Sequence, residues 1–422
     1  MKGHLTMSSK ERDRKVVLES VRCGGVTLSE AALALGLSRR QATRIYGRYC
    51  REGDDGLVHR SRGKRSNRRA PEAFRVRVLA RYKERYAGFG PTLAAEKLSE
   101  EGLVVDHETL RRWLVAEGRW QRHRKRRQHR QRRARRACRG ELVQLDGSHH
   151  RWFGPDGAEH CVMQFIDDAT GERLAVMDTE ETTVAAMRGL RLWVERYGIP
   201  RALYVDCKSV FHTARVPTVE EQMAGETPLT QFGKVCRRLG IALIFARSAQ
   251  AKGRVERAHG VLQDRFVKEL ALRGIADIEG ANVLLCNGFI EDLNRRFAVA
   301  PLDKHDRHRK VHKGLRLDDV FCFEETRRLA NDWTVRYKNR FYQVHEAQKG
   351  PLPKPKDRIA VCTRLDGTVF LAFRDKPLSF SECDEPPAKS RAPVPAARAP
   401  RSPKRKTKPA PNHPWRKKAV RP

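Results

Sequence analysis

"ELVQLDGS" (residues 141–148) is a short apolar run, Leu142, Val143 and Leu145, that stops on a carboxylate, Asp146. A strand bound for a core tolerates an isolated acid poorly, because a charge leaving water is costly unless it is paired or bound to a metal. The residues downstream repeat the pattern. "HCVMQFIDDATG" (160–171) and "RLAVMDT" (173–179) read as two further strands, joined at Asp168-Ala169-Thr170-Gly171. A helical stretch, "TVAAMRGLRLWVERYG" (183–198), precedes "RALYVDC" (201–207), whose apolar run ends in a second acid, Asp206. A helix around "LTQFGKVCRRLG" (229–240), a strand "IALIFARS" (241–248) and a final helix complete the segment. Three strands followed by helix, strand, helix, strand and helix predict a mixed sheet flanked by helices, an α/β core over 141–300.

The last helix opens in "AKGRVERAHG" (251–260), where one acid, Glu256, stands among Lys252, Arg254 and Arg257. It is either an incidental ion-pair partner or a third donor. In open α/β sheets ligands collect at the strand ends, and a helix entered through a Gly-containing loop can carry Glu256 over that edge. Three hard oxygen donors on separate elements suit Mg²⁺ or Mn²⁺. Two such ions about 3.5–4 Å apart serve in-line displacement at phosphorus. Asp146 would bridge them, and Asp206 and Glu256 would each complete one site. Lys252 and Arg254 are expected to position DNA phosphates, and His259 and Gln263 share the helix face of Glu256. Asp167 and Asp168 sit at a turn and read as structural acids.

Charge names the partner. The 422 residues hold 87 Lys and Arg against 51 Asp and Glu, a formal charge of +36. Phosphate contacts by such cations release counterions and give sequence-independent affinity for nucleic acid. No apolar run of about 18 residues supports a membrane span, and the N-terminus lacks a secretory apolar core. Ten cysteines without a C-x-x-C pair argue against a zinc ribbon and a stapled secreted scaffold. The expected location is cytoplasmic and nucleoid-associated.

Ahead of the core, residues 10–56 read as a helix-turn-helix domain. Gly24-Gly25 stops a first helix, and Gly36 turns between two more. Thr27 with Glu30, and Ser38 with Gln41, have capping-box spacing. The recognition helix would expose Arg39, Arg40, Gln41, Thr43 and Arg44 to base edges and phosphates; an ordinary helical hairpin is the alternative. Residues 71–118 suggest a second such unit. Gly90-Pro91 opens one helix, and Asp106 caps another with Leu110, Trp113 and Leu114 inside and Arg111 and Arg112 outside. A basic linker follows (119–140), with twelve Lys or Arg over 119–139 and no acid there.

Beyond Pro301, "HDRHRKVH" (305–312) reads as a solvated basic segment. Alternating runs over 325–380, broken at Lys338-Asn339 and Asp366-Gly367, suggest the hairpins of a small β-barrel. Residues 385–422, basic and Pro-rich, read as a disordered tail.

"LVQLDGS", "FIDDATG", "LYVDCKSVF" and the run from "LTQFGKVCRRLG" to "LQDRFVKEL" resemble insertion-sequence transposases with an integrase-type catalytic core, closest to the ISNCY group of bacterial elements. The resemblance spans about residues 29–373. It implies a ribonuclease H-like fold and an Asp, Asp, Glu metal triad, which motif by motif falls on Asp146, Asp206 and Glu256. Asp146 and Asp206 stand sixty positions apart, and Asp206 and Glu256 fifty. The second gap is long for an integrase core, and the excess lies in "TARVPTVEEQMAGETP" (213–228), where loops absorb insertions cheaply.

The implied activity is DNA transposition. It comprises binding of the element's terminal inverted repeats, metal-dependent hydrolysis of a phosphodiester, and transfer of the freed 3′-OH into target DNA by a homo-oligomer. Two other readings stay open: a catalytically inactive DNA-binding regulator and a nuclease of RNA–DNA hybrids.

Overall fold

The structure, a computed structural model, describes residues 6–63, 69–121, 133–223, 225, 227–246, 253–383, 410, 411 and 413. The chain divides into two compact units, Met1–Arg126 and Arg127–Pro422.

The first unit is helical: α1 Ser9–Arg22, α2 Leu28–Ala34, α3 Arg39–Glu52, α4 Glu72–Arg85, α5 Pro91–Glu100 and α6 His107–Ala116. Its helix starts follow the chemistry of their caps. Thr27 and Glu30 form a complete capping box. Ser38 accepts from the Gln41 backbone N–H at 3.3 Å, half of the expected box, while the Gln41 side chain is exposed. A box at Ser8 and Glu11 starts α1, and Glu11 also accepts from the His59 N–H at 3.0 Å, tying the segment after α3 back to α1. Leu18, Ile45, Tyr49 and Leu57 make the small core. Further on, Asp106 caps α6 by accepting from the N–H groups of Glu108 and Thr109. Leu110 and Leu114 are buried there, and Trp113 is half-buried.

Glu101, after α5, joins this helical set electrostatically. It accepts from Arg81, Arg85 and the Tyr86 hydroxyl at 2.5–3.0 Å. Arg81, then Tyr86, hold its carboxyl down at about 2. A carboxyl depressed on folding stabilises the fold above its ordinary value near 4.5, and that contribution disappears as pH falls from there towards 2. The thermal midpoint of the helical unit is therefore expected to drop across this window, and to drop less in Glu101→Gln, as circular dichroism melts would read.

The second unit is built on a five-stranded sheet of β1 Val143–His150, β2 His160–Asp167, β3 Arg173–Asp178, β4 Ala202–Val205 and β5 Ala242–Phe245, in the order β3-β2-β1-β4-β5. The first three strands are antiparallel; β4 pairs parallel with both β1 and β5. This is the ribonuclease H-like arrangement. Alternation along the strands sorts side chains to two faces. Val143, Leu145, Cys161, Met163 and Phe165 pack against α7 (Thr183–Tyr197), and beyond α8 (Val219–Met223) the same core takes in α9 (Gln231–Leu239). Val162, Ala175 and Met177 pack on the other face against α10 (Gly253–Arg273), α11 (Ile278–Leu284) and α12 (Ile290–Phe297). The long gap between Asp206 and Glu256 holds α8, whose Val219 and Met223 are exposed, so the extra residues lie outside the core.

Three expectations need correction. First, β1 continues four residues past Asp146 to His150, because its antiparallel pairing with β2 persists to His150↔His160; the acid is in mid-strand rather than at a strand end. Second, the 305–312 segment is not simply solvated. His308 is buried, accepting from Trp193 Nε1–H at 3.1 Å and bonding Asp306 at 2.6 Å. It fills the space beside Gly140, where a Cβ would meet its ring at 2.4 Å. His305 and His312 are exposed, as expected of that segment.

Third, no closed barrel forms among the described residues. After α13 (Leu317–Val320), β6 Cys322–Arg328, β7 Thr334–Tyr337, β8 Arg340–Val344, β9 Arg358–Arg364, β10 Val369–Phe373, β11 Lys376–Pro377 and β12 Phe380–Cys383 make two sheets, β11-β10-β9-β6 and β12-β8-β7. They share one core, including Val335, Tyr342, Ile359, Val361 and Leu371. The chain changes sheet at the turn after β6, where Trp333 takes φ 62° and ends the extended path, so β7 pairs with β8 rather than β6. The Lys338-Asn339 hairpin is present, both residues having positive φ, as a two-residue turn of primed type requires.

The 119–140 linker is described only at its ends. Its C-terminal part is bound to the core: Arg135 donates to the Ala169 carbonyl at 2.9 Å, and Arg139 to Glu172 and Asp306 at 2.5 and 2.7 Å. The 385–422 tail lies outside the described residues apart from 410, 411 and 413. Among the described residues no helix is long and apolar enough to cross a membrane.

Candidate active site

Register brings the first two acids together. β1 and β4 pair as Val143↔Leu203 and Gln144↔Tyr204, and two residues further along each strand direction stand Asp146 and Asp206. Leu145 and Val205 point into the α7–α9 side of the sheet, so alternation within β1 turns Asp146 to the opposite side, the one covered by α10, while Asp206 follows directly on the end of β4. There Gln263 of α10 donates to the Ser148 hydroxyl at 3.1 Å, and Ser148 shares its face with Asp146. Glu256 and His259 stand seven and four residues before Gln263 on α10, one helix face running back along β1. Glu256 is exposed in the first turn of α10 and His259 is half-buried.

The start of α10 is anchored by one buried acid. Arg254 Nη1 donates to Asp168 Oδ1 at 2.6 Å, and Gln144 Nε2 donates to the same oxygen at 2.6 Å. Arg133 pairs with it too, and the Arg136 N–H reaches Asp168 Oδ2 at 2.8 Å. Asp167, equally buried, accepts from the N–H groups of Gly140 and Thr170 at 2.8 Å each. Both acids are thus structural in this fold. Arg254 faces inward on Asp168; Lys252 lies outside the described residues.

The surroundings of Asp146 are unusually polar for a sheet interior. Its partner across β2 is Gln164, fully buried, whose amide nitrogen and oxygen both lack a hydrogen-bond partner among the described residues. Such groups are normally satisfied. Below the acids, Lys208 donates to Glu181 Oε2 at 2.5 Å and lies 3.6 Å from Asp206 Oδ2. Burial works against the ammonium charge, but Glu181, Asp206 and Asp146 outweigh it and raise the Lys208 pKa. Glu181, Lys208 and Gln164 were not singled out from sequence. The available signal was a Gln within each of the apolar strands "LVQL" and "CVMQFI", together with Gly147 in mid-strand, a residue type that marks close approach of a neighbour.

In the helical unit, Arg39, Arg40, Gln41, Thr43 and Arg44 are all exposed on the first turns of α3, while Ala42, Ile45 and Tyr49 are buried beneath them. On α6, Arg112 is exposed, whereas Arg111 is half-buried against Glu108, with two contacts of 2.6 Å.

Comparison with known proteins bears on the helical unit and on the chain as a whole. Residues 14–65 match the helix-turn-helix domain family, and residues 41–114 match a homeodomain-like domain. "Putative transposase y4bF" of Sinorhizobium fredii is 40% identical over 347 residues, covering 82% of this chain and 75% of that protein. "Transposase for insertion sequence IS1202" of Streptococcus pneumoniae is 27% identical over 403 residues, covering 87% and 85%. Among solved structures, the HTLV-2 integrase catalytic core domain in complex with magnesium covers 36% of this chain and 88% of its own, at 16% identity and a TM-score of 0.26. The chain belongs to the family of insertion-sequence transposases.

Proposed function

We propose that this transposase cuts and joins DNA at the ends of its own element, using Asp146, Asp206 and Glu256 as ligands for two Mg²⁺ or Mn²⁺ ions. The observation that carries the proposal is the β1–β4 register, Val143↔Leu203 and Gln144↔Tyr204, which supports a shared site for the acids two residues further along, Asp146 and Asp206. The donor set fits hard divalent cations: carboxylate oxygens from three segments, beside a buried amide at Gln164 with no hydrogen-bond partner among the described residues. When bound, the two ions polarise the attacking oxygen and stabilise the departing one. Asp146, Asp206 and Glu256 would hold the ions. The protein's own part is to hold these oxygens rigidly: β1 and β4 fix the aspartates, and Asp168 fixes the helix end that carries Glu256. Water first breaks a phosphodiester at the element end, leaving a 5′-phosphate on the flanking strand and freeing a 3′-OH; that 3′-OH then attacks a target phosphodiester and displaces a 3′-OH of the target strand. His259 and Gln263 flank the incoming strand.

Recognition is assigned to α3, whose Arg39, Arg40, Gln41, Thr43 and Arg44 enter a major groove, with Arg111 and Arg112 of α6 adding phosphate contacts. Replacing Arg40 and Arg44 together by Ala is expected to weaken binding to duplexes carrying the element's inverted ends by about tenfold or more, at 1–3 kcal/mol for a good base contact. Gel-shift titration against a scrambled duplex reads this; equal loss on both duplexes would assign the pair to phosphates.

The deciding experiment incubates purified protein with labelled inverted-end DNA and Mg²⁺. Nicks that leave a 3′-OH, absent with chelator, are expected. Tight binding without cutting under Mg²⁺ and Mn²⁺ would make the protein a regulator instead.

A further inference from the structure

On the sheet face opposite α10, a second donor set is gathered that the triad does not use. His149 of β1, Cys161 of β2 and Glu181 before α7 each offer a ligand atom, all within 4.8 Å of one another. His149 and Cys161 are direct cross-strand partners. His149 Nε2 already lies 3.6 Å from Glu181 Oε2, the spacing of two ligands on one tetrahedral zinc ion. The strand makes room for this with Gly147: a Cβ there would fall 2.4 Å from Glu181 Oε2 and 2.9 Å from Cys161 Sγ, so both donors converge on the same point.

A separate observation points to a missing cation. The Glu181 side chain is 5% exposed, and while Oε2 takes Lys208, Oε1 is buried with no hydrogen-bond partner among the described residues. Leaving a buried carboxylate oxygen unmet is costly, and Lys208 alone does not satisfy it. The exposed edge of His149 gives an ion a way in.

We propose that His149, Cys161 and Glu181 form a zinc site, distinct from the magnesium-type acids and open to solvent at its fourth position. A nitrogen, a sulfur and an oxygen donor favour Zn²⁺ over Mg²⁺. Binding releases the Cys161 thiol proton to solvent and draws Glu181 from Lys208. Lys208 is thereby left to Asp206, so the ion communicates with the acid face through one side chain.

Co²⁺, as a spectroscopic stand-in for zinc, tests this on the full chain. A thiolate-to-cobalt charge-transfer band is expected at one ion per chain, in the wild type and at the same stoichiometry in a variant carrying Asp146→Asn, Asp206→Asn and Glu256→Gln. Cys161→Ser should abolish it. His149→Ala, altering an exposed side chain that the fold does not need, should weaken Co²⁺ binding by about tenfold or more. No band in the wild type, or a band surviving both Cys161→Ser and His149→Ala, overturns the proposal. So does a band lost with the three acids, since the ion would then belong to them.

Discussion

Asp146→Asn protein is expected to cut inverted-end DNA at least about a thousandfold more slowly than wild type, while binding that DNA with unchanged affinity. Bound divalent ions are worth several kcal/mol of charge stabilisation at phosphorus, and each 1.36 kcal/mol is about tenfold in rate. Asn keeps the shape of Asp and loses the charge that holds a cation. The substitution sits in a strand whose pairing runs on to His150, so the fold should persist. Asp206→Asn and Glu256→Gln should behave alike, and the three losses should not add, because the acids act as one unit. Rates from single-turnover nicking, set beside gel-shift affinities, check this. A variant that still cuts within tenfold of wild type would remove Asp146 from the chemistry.

The second large effect concerns a residue remote from the cut. Asp168→Asn should lower stability of the second unit by about 2–3 kcal/mol, reduced from the value for a fully buried pair because Arg133 and Arg254 are partly exposed. Asp168 alone receives Arg133, Arg254, Gln144 and the Arg136 N–H. Without its charge, two guanidiniums lose their shared partner and the first turn of α10 loses its hold on the sheet. Cutting is expected to fall with stability, and recognition of the ends by α3 to remain. A lower thermal midpoint with intact DNA binding is the signature; unchanged melting would show that α10 is held elsewhere.

Much of this molecule can be read from one-dimensional pattern. The strand–helix alternation from Glu141 to the end of α10 reflects local periodicity, and the caps at Thr27, Ser38 and Asp106 reflect chemistry within three residues. Asp146 and Asp206 stand out because an acid among apolar strand residues demands an explanation. Their adjacency was not visible, since it depends on which strands pair and in what register. The burial of His308 escaped for a similar reason: its partners, Asp306 aside, are Trp193 and Gly140, more than a hundred residues away. Glu181 and Lys208 were hidden in connecting segments, where neither periodicity nor spacing distinguishes a buried acid from a solvated one. The two-sheet C-terminal region was missed because hairpin signals specify neighbours, not closure.

His308 has an architectural consequence. Its segment pairs on both sides, with Cys138 bridging to Asp303 and Ile199 to Arg309, before the chain passes into β6. The residues between core and C-terminal sheets thus act as a buckle rather than a tether. Trimming the protein at Phe297, where the last helix of the core ends, would strip the indole of Trp193 of its acceptor and open a groove along Gly140. Shorter versions intended for crystallisation should therefore keep everything through Glu324, since Phe321 is buried in the core and Glu324 bonds Gln231 of α9.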